Sequence, residues 1–145
     1  MTLKQWANNG WLKPHQTSRE EVGNLLAIVD RDLEDAQGSI SPDWRFNIAY
    51  NAALKLCTIL LYVKGYRPAH GLHHYRTIAA LPLILGNHKK PDTDYLNACR
   101  IKRHTAEYDY PGVASERDAE DLLEFARELK DEVEVWLEQE YPELA

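Results

Sequence analysis

One segment of the chain, from Ser41 to Gly65, limits the possible fold more than any other. It opens on Ser-Pro-Asp. Serine is a common helix cap, proline fits the first helical turn, and aspartate suits the positive end of the helix dipole. A helix whose apolar side chains cover most of its circumference is central to a bundle or also contacts another subunit. This one carries such a set: Phe46, Ile48, Ala49, Ala52, Ala53, Leu56, Cys57, Ile59, Leu60 and Val63.

Other segments carry their own helix start signals. Ser18 with Glu21 has the pattern of a capping box, and Ser115 with Asp118 starts the last helix. The segment Asp92-Thr93-Asp94 is a further cap. Apolar stripes of helical period follow each of these starts. The sequence thus predicts, besides the central helix, helices over 18–38, 72–85 with Pro82 bending the last turn, 92–110, and 115 to near the end.

The connections between these segments are short, about five residues each, so neighbouring helices should run in opposite directions. No alternating strand pattern and no hairpin dipeptide interrupt them. The prediction is an all-α fold, an antiparallel four- to five-helix up-and-down bundle that forms one domain over residues 1–145. Residues 1–17, with Trp6 and Trp11, are expected to be an N-terminal arm or short helix folded back onto it.

The sequence gives no sign of a membrane segment or a cofactor. No apolar run approaches the ~20 residues that span a bilayer, because Lys55 and Lys64 flank the run Ile59–Val63. The N-terminus lacks an apolar signal core. A soluble, cytoplasmic protein without membrane contact is therefore expected. No glycine-rich nucleotide motif, P-loop or nucleophile elbow is present, so no cofactor is predicted.

Cysteines and histidines are the residues to test for metal binding. Cys57 and Cys99 fall in apolar helical patterns with no Cys-x-x-Cys spacing, so they are predicted to be buried free thiols. His70, His73 and His74 cluster near the start of the third helix, and His70 and His74 have the four-residue spacing of some metal sites. No carboxylate lies near them in sequence. Turn and surface histidines are the favoured interpretation, and no metal site is predicted.

The net charge of −6 is unevenly distributed. Residues 64–106 carry eight basic and two acidic side chains, whereas residues 107–145 carry three basic and fourteen acidic ones. The basic middle can meet phosphates while the acidic end faces solvent. The alternative is that the middle and the end neutralise each other within the fold.

The richest stretch for chemistry runs from residue 100 to residue 110. It brings guanidinium, imidazole, carboxylate and phenol groups onto one or two turns of a single helix: Arg100, Arg103, His104, Glu107, Tyr108 and Tyr110. These are the groups of phosphate recognition and proton transfer. Arg100, Lys102 and Arg103 are the candidate ligands of a phosphate or nucleic acid. The alternative is a surface network of Arg103–Glu107 and Arg100–His104 pairs, or pairing of the arginines with the acidic last helix.

Aromatic side chains at helical spacing are expected to be structural. Trp44, Phe46, Tyr50 and Trp136 are interpreted as core residues and not as a platform on which nucleic-acid bases stack. An exposed excess of aromatic residues, which single-strand binding needs, is not evident.

The chain resembles the HEPN superfamily of small helical bundles. The resemblance covers roughly residues 18–140 and rests on the bundle layout and on the phrase that runs from Tyr95 through Arg100 and Arg103 to Tyr108-Asp109, followed by Pro111-Gly112 and a long final helix. The ribonuclease members of that superfamily resemble toxins of toxin–antitoxin pairs. They cleave RNA without metal at a site formed across a homodimer, where the two copies of an Arg-x4–6-His motif face each other.

The resemblance implies roles for individual residues. Arg103 matches the motif arginine, which holds the scissile phosphate, and His104 matches the polar residue after it. Tyr108 stands where the motif has its histidine, and a phenol with pKa near 10 is a poor base at neutral pH. Arg103, His104 and Tyr108 are therefore the candidate catalytic residues. Tyr110 matches a tyrosine that a nucleotidyltransferase partner modifies with AMP in some members.

Two classes of function follow. The first is a dimeric HEPN-type protein that binds RNA or nucleotide phosphate, as a toxin–antitoxin component with weak or absent ribonuclease activity. The second is a catalytically silent bundle that serves as a protein-interaction or nucleotide-binding module. The tyrosine at 108 favours the second for chemistry, and the arginine pair favours phosphate binding in both.

Overall fold

The central helix lies where the sequence predicts it, and the computed structural model describes all 145 residues. The chain is mostly helical, so the all-α prediction is confirmed. In chain order the elements are α1 (Leu3–Asn8), β1 (Leu12–Pro14), α2 (Arg19–Asp35), α3 (Pro42–Val63), β2 (Tyr66–Pro68), α4 (His73–Ala79), α5 (Leu81–Leu85), a 3-10 turn (Asn87–Lys89), α6 (Lys90–Tyr108) and α7 (Glu116–Glu140).

Helix α3 is the core of the bundle. Fourteen of its 22 residues are buried, and it packs against α2, α4, α6 and α7. Most of its apolar circumference is therefore covered within the chain, which identifies it as a central helix. It is also long and apolar enough to cross a membrane by length and composition, contrary to the sequence expectation, but 72% of its apolar window is buried. Buried core helices can have the same length and composition.

Polar contacts at the helix ends show the directions of the helices. Near the start of α3, Arg45 pairs with Glu116 and Glu120 in the first turns of α7, and just beyond α3 Lys64 contacts Tyr141 just beyond α7. Helices α3 and α7 therefore run parallel. Each pair of long helices that follow one another in the chain is antiparallel, as predicted.

The predicted caps form, with one difference. Ser115 and Asp118 make a complete capping box. Ser18 accepts a hydrogen bond from the backbone N–H of Glu21, but the Glu21 carboxylate bonds to His15 at 2.6 Å and to Thr17 instead of returning to Ser18. The box at the start of α2 is therefore only half formed, because the loop before the helix offers Glu21 closer partners.

Several helix boundaries differ from prediction, and the end of α6 at Tyr108 leaves Tyr110 outside the helix that was expected to carry it. Helix α2 ends at Asp35 and not at residue 38. The predicted third helix is two helices, α4 and α5, because Pro82 lies in the first turn of α5 and has no N–H to continue α4. Helix α6 begins at Lys90 and not at the acidic run that follows, since Pro91 suits its first turn.

Residues 1–17 contain a short helix, as expected, and also a strand that the sequence did not predict. Strand β1 pairs antiparallel with β2, with Leu12 opposite Pro68. Leu3 and Leu12 pack with Leu61 in a small second apolar cluster beside the main core. Strands of three residues, each containing a proline, are too short to show an alternating pattern.

Candidate functional site

Arg103 is the motif residue with the most defined environment. Its Nε donates to Oδ1 of Asn47 on α3 at 2.9 Å, and its Nη2 lies 3.0 Å from a carboxylate oxygen of Glu107 one turn further along α6. Its guanidinium carbon lies 5.5 Å from the ring centre of Tyr50. The Arg103–Glu107 pair of the surface-network alternative therefore forms, and two residues of α3 join it.

Arg100 lies one turn earlier on α6 and has no carboxylate partner. Its Nε donates to the side-chain oxygen of Asn97 at 2.9 Å, and its guanidinium carbon lies 5.7 Å from the ring centre of Tyr75 on α4. The alternative Arg100–His104 pair does not form. A guanidinium held by an amide and an aromatic ring keeps its charge available to an anion.

Lys102 does not join the two arginines. Its Nζ lies 3.0 Å from Oδ2 of Asp118 on α7, and it lines a small cavity with Tyr95 and Cys99. The side chain at 102 therefore faces the acidic last helix, and of the three predicted phosphate ligands it is the one that pairs with α7.

The remaining motif residues lie on the exposed side of α6. His104 and Tyr108 pack on each other with ring centres 4.8 Å apart, and Tyr108 and Tyr110 are each more than 60% exposed. No hydrogen bond joins Tyr108 to Arg100 or Arg103. The predicted catalytic set is therefore divided, with Arg103 held against α3 and the His104–Tyr108 pair beside it on the surface.

A small cleft of about 140 Å³ opens where α3 begins and α6 ends. Arg103, Asn47, Glu107 and Trp44 line it. Trp44 is 52% exposed, so its assignment to the core is wrong, whereas Phe46 and Tyr50 are buried as predicted. Trp44 lies in the first turn of α3, before the buried residues of this helix begin at Arg45, and its indole lies at the rim of the cleft.

The histidine cluster is not arranged as its spacing suggested. His70 precedes Gly71 and Leu72, which both have positive φ, and α4 begins only at His73. His70 and His74 therefore do not share a helical face. No group of three or more His, Cys, Asp or Glu side chains is placed to hold a metal ion.

His74 is a site residue that sequence reasoning assigned to the surface. Its ring centre lies 6.2 Å from that of Tyr50, whose ring also faces Arg103. Burial, followed by the charges of His73, Arg103, Lys55 and Arg100, lowers the pKa of His74 to about 4. The imidazole is thus neutral at pH 7 in a basic surrounding. Nothing in the sequence pairs His74 with Arg103, because the two belong to different helices.

The acidic last helix neutralises part of the basic middle. It pairs with Lys89 through Glu132 at 2.7 Å and with Lys102 through Asp118. It pairs with neither Arg100 nor Arg103. The acidic last helix therefore neutralises only part of the basic middle, and Arg100 and Arg103 are among the cations that have no partner on α7.

Comparisons of the chain with protein-family models, with curated proteins and with solved structures found no match.

Proposed function

We propose that the protein binds the phosphates of RNA or of a nucleotide through Arg100 and Arg103, as a HEPN-type homodimer. The observation that carries the proposal is the placement of Arg103. Its guanidinium is positioned by the neutral Asn47 and by the Tyr50 ring, and α7 does not neutralise it. A positioned guanidinium fork is the side chain best suited to phosphate oxygens.

Glu107 is the one carboxylate that competes for Arg103. Its side chain is 30% exposed and the pair lies on a single helix, four residues apart. Such pairs contribute only about 0.3–0.5 kcal/mol. A bound phosphate can therefore replace Glu107 on the guanidinium at little cost, while the hydrogen bond with Asn47 is kept.

The geometry favours binding over cleavage by the motif residues. Tyr108 stands where the motif has its histidine, and it is exposed and packed on His104 with no hydrogen bond to Arg103. A base must reach the proton that it takes, at about 2.6–3.2 Å. The arrangement thus supports the phosphate-holding half of the motif, and catalysis by His104 and Tyr108 is weak or absent in this proposal.

Trp44 is a candidate for stacking on a base of a single-stranded RNA. Its indole is exposed beside Arg103 at the rim of the same cleft. Stacking of a base on an aromatic side chain contributes about 1–3 kcal/mol. A single-stranded ligand can place a base on Trp44 and the next phosphate on Arg103.

The test measures binding of a labelled uridine oligonucleotide by fluorescence anisotropy over a range of salt concentrations. Arg103→Ala should weaken binding at least tenfold and lower the salt slope by about 1, because one phosphate contact is lost. Arg117→Ala is the matched control. It removes one positive charge from an exposed arginine of α7 and should leave affinity nearly unchanged.

Two results count against the proposal. The first is no binding of the oligonucleotide by the wild-type protein at low salt. The second is an equal loss in the Arg103 and Arg117 variants, which would reduce the effect to net charge. An RNA-cleavage and growth-arrest assay of wild type against Arg103→Ala and His104→Ala then separates binding from ribonuclease activity.

The dimer and the partner belong to the same proposal. If two copies face each other across α6, the exposed side chains of Ile101, His104 and Tyr108 lie at the interface. Tyr110 is exposed on the loop that follows and can be reached by a modifying nucleotidyltransferase. The test is co-expression with such an enzyme encoded in the neighbouring genes, followed by mass spectrometry. An AMP adduct should appear on Tyr110 in the wild type and be absent in Tyr110→Phe.

A further inference from the structure

Side chains from three helices meet around the ring of Tyr50. Tyr50 lies on α3, Arg103 on α6 and His74 on α4. The Arg103 guanidinium carbon lies 5.5 Å, and the His74 ring centre 6.2 Å, from the centre of the tyrosine ring. The cluster therefore places a fixed cation and a titratable imidazole beside the same phenol.

The hydroxyl of Tyr50 is the second observation that points to a ligand. Tyr50 is 0% exposed, and its hydroxyl is the one buried side-chain polar atom without a hydrogen-bond partner. Leaving a buried hydroxyl unpaired costs about 1–3 kcal/mol. Burial also raises the pKa of Tyr50, so the group remains a donor at neutral pH. A bound anion would give it an acceptor.

The charges around His74 come from each helix of the cluster. His73 lies beside it on α4, Lys55 approaches from α3, and Arg100 and Arg103 approach from α6. No carboxylate is among these groups. Their combined positive charge opposes protonation of the imidazole, in addition to the effect of burial.

We propose that His74 gains a proton when a phosphate group of the ligand binds beside Arg103, and becomes a third cationic contact to it. The inference rests on the proposed function, since it concerns the same phosphate site. An anion bound beside Arg103 offsets part of the positive charge that, in addition to burial, opposes protonation of the imidazole. By linkage, binding and protonation then strengthen each other equally.

The sign of the pH effect follows from this coupling. The pKa of His74 is about 4 in the free protein, and the bound anion raises it. Affinity therefore increases as pH falls through the raised value and levels off near the free value. If the bound imidazole regains its ordinary pKa near 6.5, affinity should rise about 30-fold between pH 7.5 and pH 5.

The experiment compares the pH dependence of uridine oligonucleotide binding in wild type and in His74→Gln. Neither uracil nor a phosphodiester titrates in this range, so the ligand contributes no proton of its own. The wild-type affinity should rise with acid, and most of that rise should disappear in His74→Gln. His88→Gln, which changes an exposed histidine on the 3-10 turn outside the cluster, is the matched control and should keep the full rise.

A second measurement uses the unmodified protein and does not depend on the folding of a variant. The His74 ring proton is followed by NMR titration with and without saturating oligonucleotide. An upward displacement of its midpoint by at least one pH unit on binding supports the proposal. An unchanged midpoint overturns it.

The outcomes separate the two proposals. If the wild type binds and Arg103→Ala does not, but His74→Gln keeps the wild-type pH dependence, the linkage is wrong and the phosphate site stands. If the wild type does not bind the oligonucleotide at any pH, both proposals are overturned. A lost pH dependence in His88→Gln would show that the proton uptake is not specific to His74 and likewise overturn the role of His74.

Discussion

Oδ1 of Asn47, near the start of α3, accepts a hydrogen bond from Nε of Arg103 on α6 at 2.9 Å, across 56 residues of sequence. Asn47 is buried, at 7% exposure. The bond occupies the Nε–H of Arg103 and leaves its two terminal nitrogens directed away from Asn47. One neutral side chain thus positions the cation without neutralising it.

The Asn47→Asp variant should keep Arg103 in position while it offsets the positive charge of Arg103. The carboxylate is nearly the same size as the amide and can keep the hydrogen bond, now as an ion pair. The fold should be retained at neutral pH, but oligonucleotide affinity should fall at least fivefold because the added negative charge offsets the guanidinium. Anisotropy titrations and urea unfolding of the same preparations measure the two effects.

Asn47→Ala is the companion variant. It removes the acceptor and should cost about 1.5–3 kcal/mol of unfolding free energy, the usual contribution of a hydrogen bond to a charged group. Affinity should fall less than in Asn47→Asp, since the charge of Arg103 survives. An unchanged affinity in Asn47→Asp would remove Arg103 from the binding site.

The sequence predicted the two arginines of the candidate site but not the residues that contact them. Arg100 and Arg103 lie on one helix, where spacing alone brings them together. Asn47 and His74 reach them from other helices, and which faces of two helices meet depends on the packing of the whole bundle. A single periodic pattern does not specify that rotation, so the partners of Arg103 could not be identified from the sequence.

Arg45→Met should destabilise the bundle by about 2–3 kcal/mol. Arg45 is buried, its Nε donates to the backbone oxygen of Ala36 at 2.8 Å, and its other nitrogens pair with Glu116 and Glu120. It joins the end of α2 to the starts of α3 and α7. The largest part of the loss is the unpaired carbonyl of Ala36.

Glu116→Gln and Glu120→Gln are the controls for Arg45. Both carboxylates are more than half exposed, so each change should cost less than about 1 kcal/mol. Urea unfolding followed by circular dichroism measures all three variants. Equal losses in the arginine and glutamate variants would show that the ion pairs dominate, and not the bond to Ala36.

The fold was more predictable than the site because its signals are local. Ser41 and Ser115 cap their helices as expected, since a cap needs only its own first turn. The boundaries that failed depend on non-local packing or on proline. Pro82 was expected to bend a helix and instead begins a new one, and β1 forms only because β2 lies beside it.

Asp118→Ala should cost about 1 kcal/mol at neutral pH, and the cost should shrink in acid. The pKa of Asp118 is lowered by the backbone N–H of Ser115 and then by Lys102. Its stabilising effect is therefore present above the unfolded carboxyl pKa and is lost as pH falls through the folded value. Asp118→Asn should cost less at neutral pH, because the amide oxygen still accepts from Ser115. Urea unfolding at pH 7 and near pH 3 tests both variants.

Both thiols should be unreactive in the folded protein. Cys57 and Cys99 are free and buried, which confirms the sequence prediction. Burial raises the pKa of Cys57 to about 12 and that of Cys99 to about 11, and the thiolate is the reactive form. Ellman's reagent should label neither thiol before unfolding and both in guanidinium. Rapid labelling of the native protein would contradict this burial.

Ile101→Asp should dissociate the proposed dimer without unfolding the chain. Ile101 is 55% exposed on the outer side of α6, on the same helix as the motif. Because most of α3 is buried within the chain, an interface has to use an exposed surface such as this one. Val135→Asp is the matched control, since Val135 is 51% exposed on α7. Sedimentation equilibrium at micromolar concentration should give a dimer for wild type and for Val135→Asp, and a monomer for Ile101→Asp. A monomeric wild type would refute the dimer, and dissociation of both variants would move the interface away from the motif.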